Sequence, residues 1–228
     1  MNLDLSHLHH VIVKQIILNG YAPSIETLSK IFQRSNEDVI QCLKDLEEYH
    51  GVVLHPKTSE VWAIHPFSSS PTNFWVKSQQ GQWWGNCAWC SLGIAAIIKK
   101  DVTITTTLGG EDKQIKFEIK NGELITDRPL FIHFPIAMKN AWDNVIFTCS
   151  VMQIFSSDTE IVDWCLRHNF CKGDVQPMEN IWNFAKVWYG NHLCEDWKKW
   201  TSEQAKLIFE QFNLVSDIWE ISSTKSRF

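Results

Sequence analysis

Along residues 4–19, Leu5, Leu8, Val11, Ile12 and Ile16 recur every three to four positions, which predicts a helix ended by Asn19-Gly20. Ser24 to Ile31 predicts a short second helix. Ser35-Asn36-Glu37-Asp38 has the form of a capping box opening a third, with Val39, Ile40, Leu43 and Leu46 on one side. Val52–Leu54 and Val61–Ile64, around the turn His55-Pro56-Lys57-Thr58-Ser59, predict a hairpin. Residues 66–82 are rich in Pro and Ser and predict a connector with a short extended piece. Next comes an apolar stretch with helical spacing, Trp83 to Ile98, where Leu92, Ala95, Ala96 and Lys99 fall at i, i+3, i+4 and i+7.

Three strand-like runs follow, Val102–Thr107, Gln114–Ile119 and Leu130–Phe134, with Gly109-Gly110 and Asn121-Gly122 as turns. Val145 to Phe155 is the most strand-like segment, with Cys149 at its middle. Ser157–Glu160 predicts a capping box for a helix through Trp164 and Leu166. Met178–Tyr189 is amphipathic, and Thr201–Gln204 caps a last helix. The tail Ser222–Phe228 carries no structural pattern. The expected architecture is α+β: a helical, winged-helix-like N-terminal subdomain (1–66), a connector (67–82) and a mixed β-sheet core flanked by helices (83–221).

A winged-helix outline raises DNA binding through the third helix. That helix carries Glu37, Asp38, Asp45, Glu47 and Glu48 against Lys44, and the chain has a net charge of −5, so phosphates are repelled and no nucleic-acid partner is expected. A metal-sensing regulator built on the same thiols meets the same objection. No apolar run reaches the roughly 18 residues of a bilayer span, and the N-terminus lacks a signal-peptide pattern, so a cytoplasmic protein is expected. Seven cysteines without framework spacing then read as reduced thiols. Twelve tryptophans read mainly as packing. No dinucleotide, Walker, nucleophile-elbow or His-Glu-x-x-His motif is present, and no organic cofactor is expected.

The remaining chemistry lies in Cys87-Ala88-Trp89-Cys90, which heads the apolar helix. Residues three apart share a helix face. The orphan amides and positive dipole of a first turn favour thiolate, the form that attacks electrophiles and binds soft metals. The same Cys-x-x-Cys also suits a redox dithiol, and the sequence leaves a Cys87–Cys90 disulfide open.

Cys87-Ala88-Trp89-Cys90-Ser91-Leu92 resembles the active-site helix of the organomercurial (alkylmercury) lyases, in which Trp-Cys-Ala-Trp/Leu-Asp-Ser/Thr-Leu recurs. Cys87 then matches the family's first catalytic cysteine, and Cys90 takes the place of its catalytic aspartate. Cys149, followed by Phe155-Ser156-Ser157, Asp163-Trp164 and Arg167-His168, matches the second cysteine, which the family carries on a strand.

The resemblance implies thiolate attack by Cys87 and Cys149 on the mercury of R–Hg⁺, with protonation of the leaving carbon. Cys90 then serves as acid or as a third soft ligand. Cys87, Cys90 and Cys149 are the candidate catalytic and metal residues, and Trp89 a candidate pocket wall. Mercury(II) enters as substrate and product. The alternatives are a soft-metal (mercury, copper, zinc) binding thiol protein and the redox dithiol. The expected partner is a small organometallic or thiol-reactive molecule, and the chain is a monomer or homodimer. Cys42, Cys165, Cys171 and Cys194 read as inert thiols. His65, His133, His168 and His192 stand at no metal-ligand spacing with a cysteine and read as ordinary histidines.

Overall fold

A computed structural model describes residues 3–221; the expected tail 222–228 lies outside them. The N-terminal helices are α1 (Leu5–Asn19), α2 (Ile25–Phe32) and α3 (Asn36–Glu48), followed by β1 (Val53–Leu54) and β2 (Val61–Ile64). Side chains of Asp4, Ser24 and Ser35 cap the three helices by accepting first-turn amides. The segment expected as a connector is folded. It supplies β3 (Phe67–Ser68) and β4 (Phe74–Lys77) and leads into β5 (Gln82–Gly85), all three within the main sheet. Then follow α4 (Ala88–Ile98), β6 (Val102–Thr107), β7 (Gln114–Lys120), β8 (Glu123–Ile125) and β9 (Phe131–Phe134). The chain continues with α5 (Val145–Val151), β10 (Ile154–Phe155), α6 (Asp158–His168), β11 (Asp174–Pro177), α7 (Met178–Tyr189) and α8 (Ser202–Gln211).

The fold is α+β, as the pattern predicts. The sheet is not mixed. Strands run β1-β2-β3-β5-β4-β6-β7-β8 in the large sheet and β10-β9-β11 in the small one. Every pairing is antiparallel. Short turns join β2 to β3, β4 to β5 and β7 to β8, and such turns can only reverse the strand, whereas a parallel pair needs a long crossover. Because β2 pairs with β3, the N-terminal hairpin is continuous with the large sheet, and the N-terminal helices share one apolar core with it.

At the centre lies α4. All eleven of its residues are buried, so the helical stripe expected from the sequence widens into a fully enclosed helix. Close packing demands small residues at two places. A Cβ on Gly85 would come 2.8 Å from the Ser91 Cα, which lets β5 run directly beneath α4. A Cβ on Gly93 would come 2.4 Å from the Tyr189 ring and 3.0 Å from Pro66, which brings α7 and the β2–β3 turn against the same helix. Alanine at position 93 gains about 1 kcal/mol of helix propensity but overpacks a filled core at a cost of about 1–3 kcal/mol. Gly93→Ala is therefore expected to lower the urea midpoint, by an amount worth up to about 2 kcal/mol. An unchanged or raised midpoint would refute the close approach.

Candidate functional site

Three separate stretches converge at the N-terminus of α4. Cys87 is the cap residue itself, in extended conformation, and its Sγ accepts the Cys90 amide at 3.3 Å. Cys90 follows one turn on, with its Sγ 3.5 Å from the Tyr189 hydroxyl of α7. The Ala88 amide donates to the Met152 carbonyl, which ties the start of α4 to the residue that ends α5. That bond sets Cys149, in the last turn of α5, beside the two thiols of α4.

The third stretch is the β2–β3 turn. The Asn86 amide donates to the Pro66 carbonyl, and the Asn86 side chain lies 3.2 Å from His65 Nε2. Cys149 Sγ is 3.7 Å from the same nitrogen. One ring nitrogen of His65 and the sulfurs of Cys90 and Cys149 all fall within 4.8 Å of one another. A T-shaped contact with Trp142, 5.4 Å between centroids, holds the imidazole in place. The three thiols are nearly inaccessible, at 1%, 1% and 6% exposure for Cys87, Cys90 and Cys149, and all seven cysteines of the chain are free.

Cys149 lies on a helix, not on the strand expected from its β-branched neighbours and from the resemblance. Val145, Thr148, Cys149 and Met152 are all buried at i, i+3, i+4 and i+7, a helical face, and Asn144 caps the segment by accepting the Phe147 amide. Here tertiary burial overrides strand propensity. Gln153 fixes the exit, donating to the Ser150 carbonyl and accepting from Asn73, which in turn bonds Thr107 of β6. Only Ile154–Phe155 of the expected strand is extended.

Cys87, Cys90, Cys149 and Trp89 line one cavity with ≈50 Å³ of space for the centres of water-sized atoms. Trp89 also stacks on Phe184, 4.7 Å between centroids, so it both packs and forms a wall. The cavity adds residues the sequence did not single out, namely His65, Trp142, Tyr189 and Lys199. No spacing rule reaches them, since each is brought in from a distant element. His65 in particular lies 22 residues before Cys87 and 84 before Cys149, outside any ligand spacing, so the sequence marks it as an ordinary histidine.

Ionisation is uneven within the cluster. Burial opposes ionisation of Cys90, but hydrogen bonds from the Cys149, Cys87 and Tyr189 side chains and the nearby His65 outweigh it. They hold the Cys90 thiol well below the ordinary range. Burial pushes Cys87 up. Cys149 is pushed up by its neighbours Cys87 and Cys90 and then by burial. Among the three sulfurs the surroundings therefore favour negative charge most at Cys90. Burial lowers His65, and the neighbouring Cys90 works against that shift. Burial also brings Lys199 down to about 7, while its Nζ sits 4.1 Å from the centre of the Trp142 ring, a face that favours the charged form.

Buried thiols gathered at a helix N-terminus are the kind of group that meets soft electrophiles at sulfur. The model of the family described as alkylmercury lyase (MerB) matches residues 67–190, and the chain belongs to that family. No curated protein matches the chain. Among solved structures, one titled "Crystal structure of the mercury-bound form of MerB2" aligns with a TM-score of 0.62 at 19% identity, covering 81% of this chain and 89% of that one. That likeness carries the fold.

Proposed function

We propose that the protein cleaves the carbon–mercury bond of small alkylmercury compounds, using Cys87, Cys90 and Cys149. The observation that carries this reading is the convergence of three buried thiols on one small cavity, in a chain of the alkylmercury lyase family. Mercury is soft and prefers thiolate ligands. The ionised Cys90 attacks first and displaces the thiolate that delivers R–Hg⁺, giving Cys90–S–Hg–R. Cys149 or Cys87 then binds the same mercury as its thiol proton passes to the carbon. The carbon–mercury bond breaks with its electron pair on carbon, R–H departs, and mercury(II) remains as a bis-thiolate. Charge and protons balance without oxidant or organic cofactor.

This division of labour differs from the one expected from the resemblance, in which Cys90 donates the proton. Its support is the network that favours negative charge on Cys90 and keeps Cys87 and Cys149 protonated. The size of the cavity suits a small leaving group. An apolar cavity of about 150 Å³ is known to hold benzene, and the space here is about 50 Å³. Met138, Val145, Met152 and Trp188 provide apolar walls for a methyl or ethyl group.

The test is release of methane from a methylmercury thiolate by the reduced protein, with Cys87→Ser and Cys149→Ser in parallel. Multiple turnovers in the parent, lost by at least about 10²-fold in both variants, are expected. Stoichiometric loss of thiols with no methane would make the protein a mercury-binding module instead.

A further inference from the structure

We infer that His65 is a metal ligand, and that with Cys90 and Cys149 it forms a mixed sulfur–nitrogen site for a borderline divalent ion of the zinc class. The inference shares the pocket of the proposed lyase but does not depend on carbon–mercury cleavage.

The argument starts from geometry. Zinc binds thiolate sulfur at about 2.3 Å and imidazole nitrogen at about 2.0–2.1 Å, tetrahedrally. Two donors on such an ion stand about 3.6 Å apart for a sulfur–nitrogen pair and about 3.8 Å for two sulfurs. Cys149 Sγ and His65 Nε2 are already 3.7 Å apart. No pair among the His65, Cys90 and Cys149 donors exceeds 4.8 Å. Closing the set around an ion needs movements of an ångström or less, which side-chain torsions supply without moving the backbone.

The chemistry of the donors agrees with the distances. Ligation requires an unprotonated ring nitrogen, whose lone pair an incoming ion takes in place of any hydrogen bond it accepts. The Asn86 amide group, 3.2 Å from Nε2, can donate to that nitrogen and so favours the tautomer whose proton is on Nδ1. Cys90 has an outer partner in the Tyr189 hydroxyl, and His65 is wedged against Trp142, so both ligands are oriented from behind. Cys87 stands at the same cavity and can close a fourth position, or leave it to water, for which the cavity has room. A cluster of thiols alone selects mercury(II) or copper(I). An imidazole shifts the preference toward zinc and cobalt. An ion held there engages two of the sulfurs a mercurial substrate needs, so bound zinc is expected to suppress methane release, reversibly on chelation.

The experiment loads the reduced full-length protein with zinc and measures X-ray absorption at the zinc edge, with cobalt(II) titrations followed by thiolate charge-transfer and d–d bands. One zinc per chain, with one imidazole nitrogen and two or three sulfurs in the first shell, is the expected result. A sulfur-only shell, or no stoichiometric uptake, overturns the inference. His65→Ala is expected to weaken cobalt binding at least about tenfold, and an unchanged titration with a native near-ultraviolet spectrum also overturns it. If His65→Ala does not fold, the absorption spectrum of the unaltered protein decides. Methane release is assayed on the metal-free protein. Zinc uptake without turnover leaves the site standing and removes the lyase, whereas turnover without zinc uptake does the reverse.

Discussion

Replacing Cys90 with serine is expected to cost about 10²–10⁴-fold in turnover of methylmercury, while Cys90→Asp retains measurable activity. Serine has nearly the size of cysteine, so the cavity is kept. Its hydroxyl does not ionise near neutral pH, and it is a hard ligand that mercury ignores. The cluster then loses the sulfur that most favours negative charge, and with it the first attacking atom of the proposed order. Aspartate restores a negative charge beside Cys87 and Cys149, with an ordinary pKa near 3.9. It also restores the residue found here in the family pattern that this stretch resembles.

In Cys90→Asp the two remaining thiols take the mercury, and the carboxylate can relay a thiol proton to the carbon. The variant is also expected to give up mercury(II) to an added dithiol faster than the parent, because one soft ligand is gone. The measurement is methane released per chain, followed by mercury retained after desalting. Full activity in Cys90→Ser would show that the charge does not reside on Cys90, and the order of attack proposed here would fall.

The second large effect is loss of stability in mild acid, on the order of 5 kcal/mol between pH 6.5 and 4.5 from His9 and His133 together. His9 is buried in the N-terminal core, its ring stacked on Trp197 at 3.6 Å. Burial, then Lys199 and the neighbouring histidines, lower it to about 3. His133 is fully buried on β9, its Nε2 accepting the Gly173 amide at 3.1 Å, a bond that protonation at that nitrogen would break. Burial and then Lys172 lower it to about 4.

Both rings are uncharged in the native protein, whereas in the unfolded chain they take up protons below about 6.5. The unfolded state therefore binds more protons across this window, and stability falls with pH by about 1.4 kcal/mol per unit for each ring. Domain stabilities are only about 5–15 kcal/mol, so unfolding near pH 4.5 is within reach. Urea unfolding at several pH values between 6.5 and 4.5 measures the slope. His9→Phe keeps the stack on Trp197 without the titration and is expected to remove one ring's share of the slope, about 1.4 kcal/mol per pH unit, while His133 and the buried His65 and His192 keep theirs. A slope unchanged by His9→Phe would mean that His9 ionises freely in the native state.

Much of the scaffold is legible in local pattern. Ser24, Ser35, Ser157 and Thr201 each cap the helix they were expected to open, because a cap is a contact between residues two or three apart. β6 and β7 lie where alternation and β-branching put them. Cys87 and Cys90 stand at the head of α4 for the same local reason. Of residues 67–82 the sequence shows one short extended piece and not a pair of sheet strands, because Pro and Ser hide short strands whose pairing partners are elsewhere in the chain.

What the sequence determined by itself is therefore the helix start that presents two thiols, the α+β class, and the likeness to a family that works on mercury. Tertiary structure decided the rest. Cys149 became helical because one face of its segment is buried at helical spacing, although its residues favour a strand. His65 entered the cluster because the β2–β3 turn hydrogen-bonds to Asn86, and Tyr189 because Gly93 lets α7 approach α4. Caps and strands follow from neighbours in sequence. A buried site follows from which distant surfaces can be brought close enough to exclude water, and here that depends on a missing Cβ and a few long-range hydrogen bonds.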